Sequence, residues 1–250
     1  MKRLLAWVIV LLAPGAALAQ DPVLDRAAAL IADAAQWEIR EKQIPSIAVA
    51  IIGPEGVRWS GAWGKADADG TVAATPDTVY RAGSVSKLFT DVAVMKLVEQ
   101  GKLDLDAPVR TYLPDFRPKN PFGGEITLRQ LMTHRSGLVR ESPRGNYFDT
   151  APKGQADTVL SLNDTTLVAA PGTVTKYSNA GIAVVGEVVA RVTGLPFEKA
   201  LHSLVLDPLG MTSSGLTAAP FAGRIAYSEM AAFDGPRIAA PPLELGMPAA

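Results

Sequence analysis

The chain contains no cysteine. That excludes disulfides, thiolate metal sites, a cysteine nucleophile and a lipidated N-terminus. It has only two histidines, His134 and His202, too few for a histidine-based metal cluster. Neither charge is in excess: 24 Lys+Arg stand against 25 Asp+Glu, for a net charge of −1. This argues against a basic field built to hold nucleic acid. No G-x-S-x-G elbow and no glycine-rich phosphate loop occurs. A catalytic reading must therefore use Ser, Lys, Tyr, Asp or Glu. What is present is ordinary globular composition, 48% hydrophobic and 20% charged over 250 residues, enough for one or two domains with a substantial core.

The N-terminus has the three regions of a secretory signal. Lys2 and Arg3 form a basic start, Leu4 to Leu12 an apolar stretch, and Ala17-Leu18-Ala19 a small-x-small cleavage site. Cleavage after Ala19 is expected, giving a periplasmic or secreted protein. Removing 19 residues and two basic charges leaves 231 residues with a net charge of −3. The apolar run is shorter than the roughly 18–20 residues of a spanning helix, and no later segment reads as a membrane span.

From residue 20 to 250 we expect one domain. Asp21-Pro22 reads as an N-cap followed by a proline at the first helical position, opening a helix to about Lys42. Ile47 to Ile52 reads as a buried strand and Val57 to Trp63 as its hairpin partner across Gly53-Pro54-Glu55-Gly56, so the hairpin covers 47–63. From 84 to 210 the pattern is mostly helical. Leu88, Val92, Met95 and Val98 recur at helical steps, and Gly101 ends that helix. Thr127-Leu128-Arg129-Gln130 is a capping box. Residues 140–156 read as a loop, 181–193 and 197–206 as helices. After Gly210 no closing element is recognisable.

Arg81 to Lys87 contains S-x-x-K, with Ser84 and Lys87. Residues three apart at a helix start share a face, so Lys87 can reach the Ser84 hydroxyl. That hydroxyl is a weak nucleophile until a base takes its proton. A lysine whose pKa is lowered by burial or neighbouring charge can be that base. The helix N-terminus and the Ser84 N–H can stabilise an oxyanion. Alone, the pattern is also that of a serine cap with a solvated lysine. Tyr177-Ser178-Asn179 lies 93 residues beyond Ser84. Tyr177 can carry a proton if cations lower its pKa, and the Asn179 amide can bind a substrate carbonyl or orient Lys87. The plainer readings are a half-buried aromatic and an N-cap.

The segments GSVSK (Gly83–Lys87), GKLDLDAPV (Gly101–Val109), LMTHRSGL (Leu131–Leu138), PGTVTKYSNAG (Pro171–Gly181) and PLGM (Pro208–Met211), in this order, resemble the serine β-lactamase and penicillin-binding-protein superfamily. They are most similar to its class C β-lactamase-like branch, with esterases and D-stereospecific peptidases. The resemblance implies an α+β fold, an antiparallel sheet in an α/β sandwich plus an all-helical subdomain. It implies an exported serine hydrolase without cofactor or metal, acting on a small-molecule ester, β-lactam or D-amino-acid peptide. Ser84 matches the acylated nucleophile, Lys87 the lysine of the first motif, Tyr177 the general base or acid and Asn179 the last residue of the second motif. Whether Lys87 or Tyr177 takes the first proton stays open, since the two titrate together. LMTHRSGL matches a structural turn beside the site rather than a Ser136–His134 pair. His202 is read as surface or packing, Asp104 and Asp106 as turn and cap residues, and Trp37, Trp59 and Trp63 as packing.

The resemblance also implies a third motif, Lys or His, then a small residue, then Gly, on a later strand; no such tripeptide occurs. The fold is therefore expected to be incomplete at its C-terminus, stopping before the later strands. The alternative to an enzyme is a truncated, non-catalytic remnant, or a penicillin- or peptidoglycan-binding protein that lacks turnover.

Overall fold

A computed structural model describes residues 21–147, 149, 154–231, 235–240 and 248–249. The expected signal segment, 1–19, lies outside them. The chain forms two compact units, one ending at Asp77 and one beginning at Thr78.

The first unit is a helix on a hairpin. Helix α1 (Pro22–Lys42) starts where the sequence places it. Asp21 caps it, accepting from the Val23 and Leu24 N–H groups at 3.1 and 3.2 Å, and Arg40 and Lys42 sit in the last turn, where cations complement the helix dipole. Strands β1 (Ser46–Gly53) and β2 (Gly56–Gly64) pair antiparallel, with a register shift at Ile51/Ile52. The strand expected to be buried is only half so. Ile47, Val49 and Ile51 are partly covered, while Ala48, Ala50 and Ile52 are exposed. Among the described residues of this unit α1 is the only helix packed on the hairpin, and alternate residues of β1 are left exposed. An apolar run shows that both faces suit burial, not that both are buried.

The second unit is built around α5 (Asn179–Thr193). Ten of its residues, including Ile182, Val184, Val185, Val188 and Val189, are buried. It starts at Ser178, whose hydroxyl accepts from the Gly181 N–H at 2.8 Å, and ends at Gly194 in the left-handed region. Around it pack α2 (Ser86–Glu99), α3 (Leu128–Met132), α4 (Gln155–Leu160) and α6 (Phe197–Leu201). Thr127 and Gln130 make both bonds of the expected capping box ahead of α3. Three features depart from expectation. Helix α4 forms at the end of the stretch read as a loop. The helix expected over 197–206 changes to a π turn at His202–Leu206. After Gly210, strands β3 (Glu229–Ala231) and β4 (Arg237–Ala239) pair antiparallel, where no strand was expected before the chain's end; three-residue strands are too short for alternation to reveal them.

Helix α2 also buries a different face from the one its period suggested. Leu88 is 63% exposed, and Val92 and Met95 are exposed too, whereas Lys87, Thr90, Ala93, Val94 and Leu97 are buried. The helix is apolar on two sides, so periodicity alone cannot select the buried one. Among the described residues no single helix is long and apolar enough to cross a membrane.

Candidate active site

Ser84 sits in a single 3-10 turn, Gly83–Val85, that runs directly into α2. Gly83 makes the entry possible. Its φ is +55°, and a Cβ there would meet nothing within 4 Å, so the need is conformational rather than spatial. One helical turn on, Lys87 lies on the buried face and is only 7% exposed. Its Nζ donates to Ser84 Oγ at 3.0 Å. The i, i+3 spacing read in the sequence therefore makes the contact it implies.

Tyr177 reaches the same atom from the other side. Its Oη is 2.6 Å from Ser84 Oγ, and Lys87 Nζ lies 5.0 Å from the centre of its ring. Three of the four residues singled out in the sequence, Ser84, Lys87 and Tyr177, thus form one hydrogen-bonded group. Lys87 Nζ donates to Ser84 Oγ, and in the contact between Ser84 Oγ and Tyr177 Oη either hydroxyl can be the donor.

Burial works to raise the Tyr177 phenol. The bond from Lys87, the bond to Ser84 and the charges of Lys87 and then Arg140 outweigh it, so the phenol is held below its ordinary value of 10.0. These are the neighbours that favour a phenolate.

Asn179, the fourth residue, is the first residue of α5; the cap of the plainer reading is its neighbour Ser178. Its side chain is buried, and Nδ2 donates to Glu141 Oε1 at 2.7 Å. Its Oδ1 and Glu141 Oε2 are buried without a hydrogen-bond partner among the described residues. The amide therefore has one free acceptor, the atom type needed to hold a lysine ammonium or a substrate N–H.

The segment read as a structural turn beside the site, 131–138, continues through Val139, Arg140 and Glu141, which the sequence reading did not single out, and together they hold Tyr177 in place. Residues 134–141 run alongside 168–180 and are bonded to them repeatedly. Val168 N–H donates to Gly137 O, Lys176 N–H to His134 O, and the Asn179 and Ala180 N–H groups both to Arg140 O. Ser178 Oγ donates to Val139 O at 2.6 Å. His134 adopts the left-handed region at φ +58°, uncommon for a non-glycine residue. Its ring lies 4.4 Å from that of Tyr177, centre to centre. Its Nδ1 accepts from the Ser178 N–H at 3.3 Å. Burial first, and then the Lys87 charge, hold this imidazole below its ordinary 6.5, so it is neutral at neutral pH. Ser136 is buried, its hydroxyl accepting from the Leu138 N–H at 3.4 Å. On the Tyr177 ring, Arg140 places its guanidinium carbon 5.0 Å from the centre. A histidine and an arginine flanking a glycine turn were visible signals, but nothing local says which aromatic they meet.

Of the residues read as structural, Asp106 takes two bonds from Arg129, at 2.7 and 2.8 Å, and its N–H donates to Asp104. His202 pairs with Asp207 at 3.1 Å.

Comparison with known proteins places this geometry in context. The family model described as Beta-lactamase matches residues 25–250. The chain is 36% identical over 195 residues to esterase EstB of Burkholderia gladioli, covering 72% of this chain and 49% of the esterase. It is 31% identical over 183 residues to a beta-lactamase of Escherichia coli (strain K12), covering 73% of this chain and 46% of that enzyme. Among solved structures, the octameric penicillin-binding protein homologue from Pyrococcus abyssi superimposes with a TM-score of 0.75 at 27% identity, over 87% of this chain and 50% of that one. The chain thus spans about half the length of the curated relatives it matches.

Proposed function

Because the chain belongs to the beta-lactamase family, within the superfamily of serine β-lactamases and penicillin-binding proteins, we propose that it is an exported serine hydrolase that works through an acyl-enzyme on Ser84. The observation that carries this reading is the placement of Ser84 Oγ between Tyr177 Oη at 2.6 Å and Lys87 Nζ at 3.0 Å. Tyr177, as phenolate, takes the Ser84 proton while Oγ attacks a carbonyl carbon. Lys87 supplies the positive charge that keeps the phenolate available. The tetrahedral intermediate collapses as Tyr177 returns the proton to the leaving group, which departs and leaves an ester on Ser84. Water then attacks that ester, giving its proton to the same phenolate, and the acid is released as Oγ recovers its hydrogen. Carboxylic esters, β-lactams and D-amino-acid peptides all present the carbonyl this sequence needs.

A fluorophosphonate or penicillin probe should label the chain on Ser84, and Ser84→Ala should abolish labelling. Equal labelling of the two proteins overturns the reading. Export rests on the first 19 residues, and N-terminal sequencing of the exported protein should begin at Gln20. A mature protein that retains Met1 contradicts it.

A further inference from the structure

Arg140 is the charged group at the site to which no part of the acyl-transfer reading gives a task. Its carbonyl accepts from both the Asn179 and Ala180 N–H groups, so its backbone is tied to the first residues of α5, two and three positions past Tyr177. From that anchor the side chain crosses the Tyr177 ring, with the guanidinium carbon 5.0 Å from its centre. The side chain is 65% exposed, and its one ion pair among the described residues is a contact from Nε to Glu141 Oε1 at 3.4 Å. That same oxygen already accepts the shorter bond from Asn179. The guanidinium therefore lies against the phenol ring, and the carboxylate oxygen it pairs with is shared with Asn179.

We propose that Arg140 is a positioning residue that acts through Tyr177: its guanidinium packs on the ring as a second cation, beside Lys87, and sets how readily Tyr177 gives up its proton. The proposal rests on the reading of Tyr177 as the proton acceptor of Ser84.

The charged and titratable groups around the phenol are few. From α2 and its lead-in come Lys87 and the Ser84 hydroxyl. From the 134–141 segment come Arg140, the His134 ring, and Glu141 behind Arg140. Lys176 and Asn179 flank Tyr177 on its own segment. His134 is neutral near pH 7 and adds contact rather than charge. Glu141 opposes Arg140 but is turned toward Asn179. Lys87 is buried against the phenol, whereas Arg140 is exposed, so salt screens the second far more than the first.

The test reads the phenol directly and needs no turnover. The ultraviolet absorbance of tyrosinate is followed against pH in the full chain, and the same titration of Tyr177→Phe is subtracted, leaving Tyr177 alone. Arg140→Gln should raise the Tyr177 midpoint by about half a pH unit, the scale of a solvent-screened opposite charge at this distance. Arg140→Lys should restore it, because a cation remains over the ring. In about 1 M salt, where the screening length falls to about 3 Å, the unsubstituted protein should titrate like Arg140→Gln. Unchanged midpoints in Arg140→Gln overturn the proposal. So does a shift that Arg140→Lys fails to reverse, because that marks a purely structural role. Fluorophosphonate labelling of Ser84 on the same samples separates the two claims: labelling with an unmoved midpoint removes Arg140 alone, whereas no labelling with a moved midpoint removes the acyl-transfer reading and leaves Arg140 in place.

Discussion

The 134–141 segment is pinned where a backbone oxygen fills the space a side chain would need. Gly137 has φ +76°, and a Cβ built there would fall 2.0 Å from the Ala169 carbonyl oxygen and 3.0 Å from its carbon. Gly137→Ala therefore meets three costs. The left-handed conformation costs a β-carbon about 1 kcal/mol. Relieving the clash separates the two segments and breaks the 2.8 Å bond from Val168 N–H to Gly137 O, worth about 1 kcal/mol. Overpacking beside the fully buried Leu138 adds about 1–3 kcal/mol. The sum is about 3–5 kcal/mol. Gly123→Ala is the matched control, since Gly123 has φ +73° but a Cβ there meets nothing within 4 Å; it should cost only the conformational part, about 1 kcal/mol. Urea denaturation followed by circular dichroism measures both. Because the segment carries His134 and Arg140 against Tyr177, Gly137→Ala should also slow labelling of Ser84 in the folded fraction, and Gly123→Ala should not. If the two variants lose stability equally, the close approach to Ala169 does not hold the site together.

Four further outcomes follow from the geometry. Lys87→Met removes the cation beside both reacting oxygens and should slow Ser84 acylation by about 10²–10⁴-fold, read as the labelling rate; loss of less than tenfold contradicts its role. The labelling rate should rise with pH and level off below 10.0, because Lys87 and Arg140 hold the Tyr177 phenol down; a midpoint at or above 10.0 contradicts this. His134→Asn keeps a residue tolerant of the left-handed region and an acceptor for the Ser178 N–H, but removes the ring; it should fold and label several-fold more slowly than the unsubstituted chain, and equal rates would show that the ring contact does not matter. Asp91 is raised from 3.8 to about 6 by burial, with one oxygen unpartnered. The folded form thus binds its proton more tightly than the unfolded form, and stability falls as pH rises from about 4 to about 6. Discounted for its partial exposure, Asp91→Asn should add about 1 kcal/mol at pH 8 and almost nothing at pH 4; a gain at pH 4 as large as at pH 8 refutes the assignment.

The legible parts of the site are those set by spacing along one element. Ser84 and Lys87 touch because three residues in a helical turn bring them together. Asp21, Thr127 and Gly194 end or begin helices because their backbone and side-chain chemistry does so locally. Tyr177 is placed beside Ser84 only by resemblance, since nothing in a sequence separation of 93 encodes the 2.6 Å contact. The buried face of α2 was not legible because Leu88, Val92 and Met95 on one side and Ala93, Val94 and Leu97 on the other suit burial equally. Helix α4 was hidden by its length, six residues behind a Pro- and Gly-rich stretch.

What the sequence treated as a turn near the site has the larger part in positioning it. A tyrosine base needs its oxygen fixed to within tenths of an ångström of the serine and its charge balanced from outside the bond it makes. One end of that requirement is met by α2, through Ser84 and Lys87. The other is met by the 134–141 segment, which bonds to residues 168–180 on both sides of Tyr177 and lays His134 and Arg140 on its ring. Tyr177 has no helix of its own, because α5 begins two residues later at Asn179. Its position is therefore a property of pairing between two irregular segments rather than of either sequence alone. That is why substitutions at Gly137, His134 and Arg140, and not only at the residues bonded to Ser84 Oγ, are expected to change how Ser84 reacts.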